Sequence, residues 1–591
     1  KVVASRQGGF RKAMGCGREM DSACPTELRF AINIGFLLAL LCLWPDWCMC
    51  QAPSVESVHE LYEQKQYAEI IRLVPASASN PAELDLYRGL AFAQLQRFSE
   101  AKAALEDGER KNPSEERFPV ELAGVAYRTH DLAEAQRNLG RALHLDPHDS
   151  YALNFLATIY LLRGNVPAAL KYWNRIEAPR ISQIKESPQP RINEVLLQRA
   201  ITISPLSTLR LRDFETSDAL IGALGIFPNR RWELRPEGSD NYNLVLHSFE
   251  EDGWGSNKWN AALSILRGLP YETAYPAYHN MHGSAINFES IVRWDSQKRR
   301  VFASVSIPLH MSPKWRLEAY ADGRDENWNL TNSFYGAGAP LTALKLRKLE
   351  FGAEIRRIEN GRWGWQTGGT FSRRTFGKQG AAFGQAGTFF TSGNVLEWNV
   401  ASDYHLLSIP DRRLTIDSSA LGGVGRFFAS GGSRRFGRSE GSLSFHWLPQ
   451  SEGDDYEMNS RFRAGAIIGE VPFDKLYTLG VERDDNDLWL RGISATNDGR
   501  KGNSPMGRRY LLWNWDWEKV IYHDAFFELK AGPAIDAGDI SDASGAFGSH
   551  EWLWDPGAQV SIRVLDTVNV IFSYGRDIRS GQNAFFGTTL P

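Results

Sequence analysis

The sequence predicts an α+β multidomain chain with an N-terminal α-solenoid, a small α/β module and a C-terminal transmembrane antiparallel β-barrel. Three observations predict it. Helical residues from 55 to about 183 recur with a 34-residue period. From about residue 255 to the end, apolar and polar residues alternate in short runs between polar turns. Finally, Trp513, Trp515 and Trp517 alternate with Asn514, Asp516 and Glu518. In a strand these two sets face opposite ways. That gives tryptophans for a membrane interface and acids for a wet lumen. Three tryptophans on a solvated sheet face would instead invite aggregation.

The 591 residues leave room for several domains. Lys and Arg number 67 against 70 Asp and Glu, so charge gives no reason to expect a nucleic-acid partner, and none is expected. All five cysteines, at 16, 24, 42, 48 and 50, precede the repeats. The body therefore has no thiols for a disulfide framework, a zinc site or a nucleophile. A cysteine-free body suits a chain that crosses an oxidising periplasm unfolded. The chain opens on Lys1, with Met14 and Met20 as the first plausible starts. Arg29 followed by the apolar run Phe30–Trp44 reads as a secretory signal, with Cys48 and Cys50 small enough for a cut before Gln51. Residues 1–50 are thus expected to be signal peptide and upstream sequence. No later run reaches the length of an apolar membrane helix.

Residues 51–183 form the repeat domain. With units starting at Ala82, Glu116 and Ser150, the eighth position is Gly89, Ala123 and Ala157, and the twentieth is Ala101, Ala135 and Ala169. Small residues there let the two helices of a unit cross closely. Pro113 and Pro147, at the thirty-second position, end the second helix. This pattern resembles the tetratricopeptide repeat over about three units, with Val55–Pro75 as a degenerate first one. The resemblance implies a concave surface for periplasmic or client polypeptides.

Pro179 to Pro190 breaks the helical pattern. Leu209–Phe214 then alternates like a strand, Ser217–Phe227 reads as a helix with Ser217 at its cap, and Arg231–Arg235 and Tyr242–Glu250 read as strands. This order over residues 200–253 is similar to a reduced POTRA domain, which implies a strand edge that an extended client can join.

Residues 255–591 read as the barrel. Ile286, Phe288, Val292 and Trp294 oppose Asn287, Glu289 and Arg293. Trp315, Leu317, Ala319 and Ala321 oppose Lys314, Arg316, Glu318, Tyr320 and Asp322. Similar alternation covers 526–531 and 560–564, while Gly422–Gly441 reads as a loop or turn. Outer-membrane barrels commonly end on an aromatic residue; this chain ends Thr588-Thr589-Leu590-Pro591, with Phe585 and Phe586 close by.

The stretch Leu479–Ile540 organises the rest. It runs from Leu490-Arg491-Gly492-Ile493, through the tryptophan strand, to Ala534-Ile535-Asp536-Ala537-Gly538. This order resembles the C-terminal surface-antigen domain of the BamA/TamA/TpsB outer-membrane assembly superfamily. There a loop folds back into the barrel, and its tip arginine meets a strand acid. The resemblance implies a barrel of about 16 strands, which the length allows. It makes Arg491, Gly492, Asp536 and Asp516 the lock between loop and lumen. Ile493 and Ile535 depart from the aromatics usual at those positions. An arginine plugged into a narrow lumen needs a carboxylate, best met as a fork. Removing one partner of such a buried pair costs about 3–5 kcal/mol.

The sequence carries no HExxH, GxSxG, P-loop or paired-cysteine motif; His279, His282 and His310 read as turn residues, not metal ligands. No enzyme activity, metal or cofactor is expected. The leading expectation is an outer-membrane barrel that inserts or translocates client polypeptides. Its partners are outer-membrane lipid and, through the repeats, a periplasmic protein. The alternative is a polysaccharide export porin, which also joins such repeats to a barrel but needs an open lumen.

Overall fold

The computed structural model describes residues 53–590 other than 239–240, 256–257, 332–339, 378–389, 451–452, 525, 543–546, 550 and 565–567. The signal segment expected before Gln51 lies outside the described residues, as does Pro591.

The chain divides into two compact units, 1–149 and 150–591. Among the described residues the first holds six helices: α1 (Val55–Glu63), α2 (Tyr67–Leu73), α3 (Ala82–Gln94), α4 (Phe98–Lys111), α5 (Arg117–Arg128) and α6 (Leu132–Leu145). They pack as successive helical pairs. Gly89 of α3 shows why a small residue is needed at the crossing: an added Cβ would lie 2.6 Å from the Leu105 side chain of α4. Ala101, Ala123 and Ala135 are fully buried. Inside the α3/α4 pair, buried Asp85 meets Arg88 at 3.1 Å and also Lys111. A buried carboxylate is tolerable only with such partners.

The second unit opens with α7 (Ser150–Leu162) and α8 (Val166–Trp173), which bury Ala157 and Ala169. A three-stranded module follows: β1 (Arg180–Ser187), α9 (Glu194–Ala200), α10 (Leu211–Ala223), β2 (Asn229–Pro236) and β3 (Asn241–Phe249). Its sheet order is β1-β3-β2, with β1 parallel and β2 antiparallel to β3. Two expectations are corrected here. Leu209–Phe214 is not a strand, because α10 begins at Leu211, and the first strand lies earlier, inside the proline-bounded stretch. Ser217 is not a cap but sits mid-helix, fully buried, donating to the Asp213 carbonyl at 2.8 Å and accepting from the Thr202 N–H at 2.9 Å. The Leu-Arg-Leu-Arg alternation misleads because the buried residues of α10 are Phe214, Ser217, Leu220 and Ile221, three to four apart, an outcome of helical and not strand periodicity.

After helix α11 (Lys258–Leu266) comes one large antiparallel sheet. Its interrupted first segment is β4 (Thr273–Ala274) and β5 (Ala277–Met281), both paired with β6 (Ile286–Trp294). Then follow β7 (Lys298–Pro308), β8 (Trp315–Thr331), β9 (Pro340–Ile358), β10 (Trp363–Gly377), β11 (Gly393–Ile409), β12 (Leu414–Ala429), β13 (Gly432–Trp447) and β14 (Tyr456–Gly469). A long connection, residues 470–508, carries two short ladders. One pairs β15 (Tyr477–Thr478) with β18 (Met506–Gly507), and the other β16 (Thr496–Asn497) with β17 (Arg500–Lys501). The sheet resumes with β19 (Arg509–His523), which pairs directly with β14, and ends with β20 (Phe527–Ser541), β21 (Leu553–Val564), β22 (Val568–Arg576) and β23 (Asn583–Leu590). Strand order brings β23 round beside β4, but among the described residues no backbone ladder joins them. Taking β4 and β5 as one interrupted strand, fifteen described strands form the sheet.

The loop expected at Gly422–Gly441 is instead a hairpin. β12 and β13 pair through Ala429↔Gly432, leaving only Ser430 and Gly431 as the turn. Gly432, with φ 122°, takes a conformation that favours glycine. The Gly and Ser richness that suggested a loop is explained by packing. An added Cβ at Gly425 would lie 2.2 Å from the Phe436 ring.

The strands keep the expected two faces. Trp513 stacks on Phe462 with ring centroids 5.8 Å apart and 10° between planes, and Trp517 meets Trp447 and Tyr456. Leu396, Trp398, Val424, Phe462 and Ile468 are exposed on this same outer face. Asn514, Glu518, Asp536 and Asp555 are buried on the other.

The three-stranded module and α8 meet the sheet at several of its turns. Arg199 donates to the His310 and Met311 carbonyls at 2.8 and 2.9 Å. The Gly361 N–H donates to Thr216 Oγ1 at 3.0 Å. Asn165 donates to the Pro410 carbonyl at 2.8 Å, and Lys171 pairs with Asp411 at 2.5 Å. From inside the curl, Arg316 and Asn287 donate to the Leu224 carbonyl just past α10, at 3.0 and 2.9 Å. A cation at the C-terminal end of a helix complements its dipole.

Candidate functional site

The connection 470–508 folds back inside the sheet. Its side chains reach the inner faces of strands on every side. Arg293 of β6 pairs with Asp484, Arg300 of β7 with Asp485 at 3.1 Å, and Arg324 of β8 with Asp485 at 2.9 Å. Arg374 of β10 pairs with Asp474 at 2.8 Å, and Glu397 of β11 with Lys475 at 2.9 Å. Arg463 of β14 pairs with Asp487 at 2.9 Å. At the far side, Trp489 packs edge-on against Phe586 of β23. One segment can touch all these strands only if the sheet curls around it.

The tip of this re-entrant loop carries the residues singled out in the sequence. Asp536 of β20 accepts the backbone N–H of Arg491 at 2.8 Å and the side-chain amide of Asn514 at 2.7 Å. The Arg491 guanidinium lies 2.5 Å from Asp516 of β19 and 3.6 Å from Asp536. Asn514 faces Asp536 in the β19–β20 register, and it also donates to the Trp489 carbonyl at 2.8 Å. The four predicted residues therefore come together, but not as the expected fork. The guanidinium is shared between two carboxylates, and the firmest grip of Asp536 is on the loop backbone. The neighbouring Gly492 N–H donates to Asp555 of β21 at 2.7 Å.

Gly492 is glycine for lack of space. An added Cβ would lie 2.4 Å from the Asp577 nitrogen, and one at Gly575 of β22 would lie 2.4 Å from the Arg491 carbonyl carbon. Loop and wall thus touch backbone to backbone at this point. Gly538 is less tight: an added Cβ would meet Leu479 at 3.1 Å. Ile493, where an aromatic is usual, is fully buried in an apolar cluster.

Sequence reasoning missed two further parts of the site. The first is a charge cluster centred on Asp485, which meets Arg300, Arg324, Arg293 at 3.6 Å and Lys501 at 3.5 Å. Lys501 also reaches Glu326 at 3.3 Å and Glu482 at 3.6 Å. Burial works to raise the Asp485 pKa, but Lys501 and the three arginines outweigh it and hold the carboxyl well below its ordinary value. The signal was present as the acidic run Glu482-Arg483-Asp484-Asp485-Asn486-Asp487 beside inward-facing arginines at alternate strand positions.

The second is an apolar plug. Phe473, fully buried, meets Trp328 and Phe390 with ring centroids 5.1 Å away in each case. Leu479, Leu488, Leu490 and Ile493 of the loop join Leu344, Val395, Phe427 and Ile467 of the strands in one core. No sequence period marks these loop residues, because a folded plug follows neither helical nor strand spacing.

The repeat-packing residues lie elsewhere, Gly89, Ala101, Ala123 and Ala135 in the first unit and Ala157 and Ala169 in α7 and α8. Among the described residues no three metal-ligating side chains gather.

No protein-family model and no curated protein matches the chain. Solved structures similar to it include the following three. CdiB from Escherichia coli is 13% identical over 74% of this chain and 82% of its own, with a TM-score of 0.45. CdiB from Acinetobacter baumannii is 11% identical over 79% and 87%, with a TM-score of 0.42. BamA from Haemophilus ducreyi lacking POTRA domains 1–3 is 11% identical over 70% and 85%, with a TM-score of 0.41.

Proposed function

We propose that this chain is an outer-membrane barrel of the BamA/TamA/TpsB type, which inserts or translocates client polypeptides. Its repeats and its β-α-α-β-β module lie on the periplasmic side and recruit the client or an accessory protein. The observation that carries the reading is the seat of the Arg491–Gly492 tip. Asp516, Asp536 and Asp555, from three consecutive strands, each hold a different group of it. A loop seated this way is a switchable element.

The module supports the same placement. Its strand order β1-β3-β2, with two helices between β1 and β2, supports reading it as a POTRA-like module that begins at Arg180, and β2 lies at the edge of its sheet. Such an edge is a site for strand addition. The alternative reading, a polysaccharide exporter, requires a wet, open lumen. The buried cluster around Phe473 and Leu490 argues against it.

The test is an assembly assay. Wild-type protein in lipid vesicles is offered an urea-unfolded outer-membrane barrel as client, and the client's folding is followed by gel mobility. Faster folding than in empty vesicles, lost in Arg491→Ala, supports the proposal. Equal rates with wild-type and empty vesicles overturn it.

A further inference from the structure

The seam between the first and last elements of the sheet has an unusual occupant. Among the described residues no ladder joins β23 to β4 or β5. Exposed strand edges are costly in hydrocarbon, where no water can bond the free groups. What stands at this seam is α11 and the turn after it. The Ile265 carbonyl of α11 accepts the Tyr275 N–H at 2.9 Å, and Arg267 lies over the Tyr275 ring. Tyr271 meets Gly587 of β23, and the loop residue Arg483 donates to the Gly587 carbonyl while covering the Tyr271 and Phe586 rings.

One side of α11 packs on the protein, while the other is apolar and largely solvent-exposed. Trp259, Leu263 and Leu266, at i, i+4 and i+7, share a helix face. They are 84%, 37% and 46% exposed, and Leu269 beyond the helix end is 49% exposed. This face continues the outer band on both sides. Before it, Trp254 packs edge-on against Tyr278, which pairs in register with outward Phe288. Across the seam, Phe585, 73% exposed, stacks on Phe572.

We propose that α11 is embedded in the bilayer at this seam, with its Trp259–Leu263–Leu266 face against lipid acyl chains. The proposal rests on the membrane-barrel reading above. A helix satisfies its own backbone groups, so it can stand beside the two strand edges without adding unbonded groups to the hydrocarbon. Tryptophan and leucine on its outer side, with Lys258 and Arg267 at its ends, match a segment set within a membrane.

The body's lack of cysteine makes the test direct. The full chain, with its five cysteines changed to serine, receives one new cysteine at a time: Leu263→Cys or Leu266→Cys on the open face, Ser264→Cys on the packed face, and Val424→Cys on the outer band of β12. Each is labelled with an environment-sensitive fluorophore, reconstituted in phosphatidylcholine vesicles and checked for folding by heat-dependent gel mobility. Quenching by nitroxide-bearing lipid is compared with quenching by aqueous iodide. The expected result is strong lipid quenching at 424, 263 and 266, and severalfold weaker quenching at 264. Lipid quenching at 424 with iodide quenching at 263 and 266 overturns the placement of α11 and leaves the barrel reading intact. Iodide quenching at all four positions overturns both.

Discussion

Asp536 holds Arg491 chiefly by its backbone. The carboxylate is 2.8 Å from the Arg491 amide nitrogen and 3.6 Å from the guanidinium Nε. The two partners of this lock are therefore unequal. Arg491→Ala removes the guanidinium but keeps the amide contact, leaving Asp536 with two donors. Asp536→Ala strips the acceptor from both the Arg491 amide and the Asn514 side chain. The Asp536 change is expected to cost about 3–5 kcal/mol and the Arg491 change distinctly less. Urea denaturation in vesicles, read as loss of the folded gel band, orders the two variants.

Asp485 is the carboxylate that three arginines and a lysine share, each of them also meeting another acid among Asp322, Glu326, Glu482 and Asp484. Asp485→Asn preserves shape and leaves the four cations with one negative charge fewer among them. The loop is expected to shift outward. In planar bilayers the wild type is expected to give small, flickering currents, and the variant a larger and more anion-selective conductance. A conductance unchanged from wild type would show that the cluster does not hold the loop.

Phe473 is the centre of the plug. Phe473→Ala empties a fully buried aromatic site, a change that costs about 3–5 kcal/mol in a packed core. The expected outcome is a lowered temperature for the loss of heat-dependent gel mobility, with hydrogen exchange speeding up across 471–490 before it does in β19 or β20.

Glu233 of β2 gives a pH dependence outside the sheet. Hydrogen bonds from Arg235 and then His247 lower its pKa from 4.5 to about 2. A depressed carboxyl stabilises the folded form above its unfolded pKa, and that stability is lost as pH falls through the folded value. The contribution is present above about pH 4.5 and disappears towards about pH 2. The side chain is 41% exposed, so screening keeps the effect modest. Hydrogen exchange of residues 229–249 is expected to be slower in wild type than in Glu233→Gln at neutral pH. The two should converge as the pH is lowered through that window.

The parts of this architecture legible in the sequence are those with a period. Gly89 and the alanines at 34-residue spacing mark helix crossings, and Trp513–Glu518 marks a two-faced strand. The tip was legible for another reason: Arg491, Gly492 and Asp536 sit in short motifs whose order can be matched. Asp555 was not, because its partner is a backbone N–H and leaves no complementary charge in the sequence. Phe473 was not either, since its neighbours Trp328 and Phe390 come from distant segments. Leu209–Phe214 misled because Leu209-Arg210-Leu211-Arg212 is too short to tell the two periods apart, and only the buried side of α10 decides between them.

The contacts at the His310, Gly361 and Pro410 turns set how mechanical load would travel. The module and α8 are fastened to three separate hairpins. Tension applied to the module does not run only through the single peptide thread after β3. It is also carried through these turns, so a pull on the module bears on the sheet at several separate places.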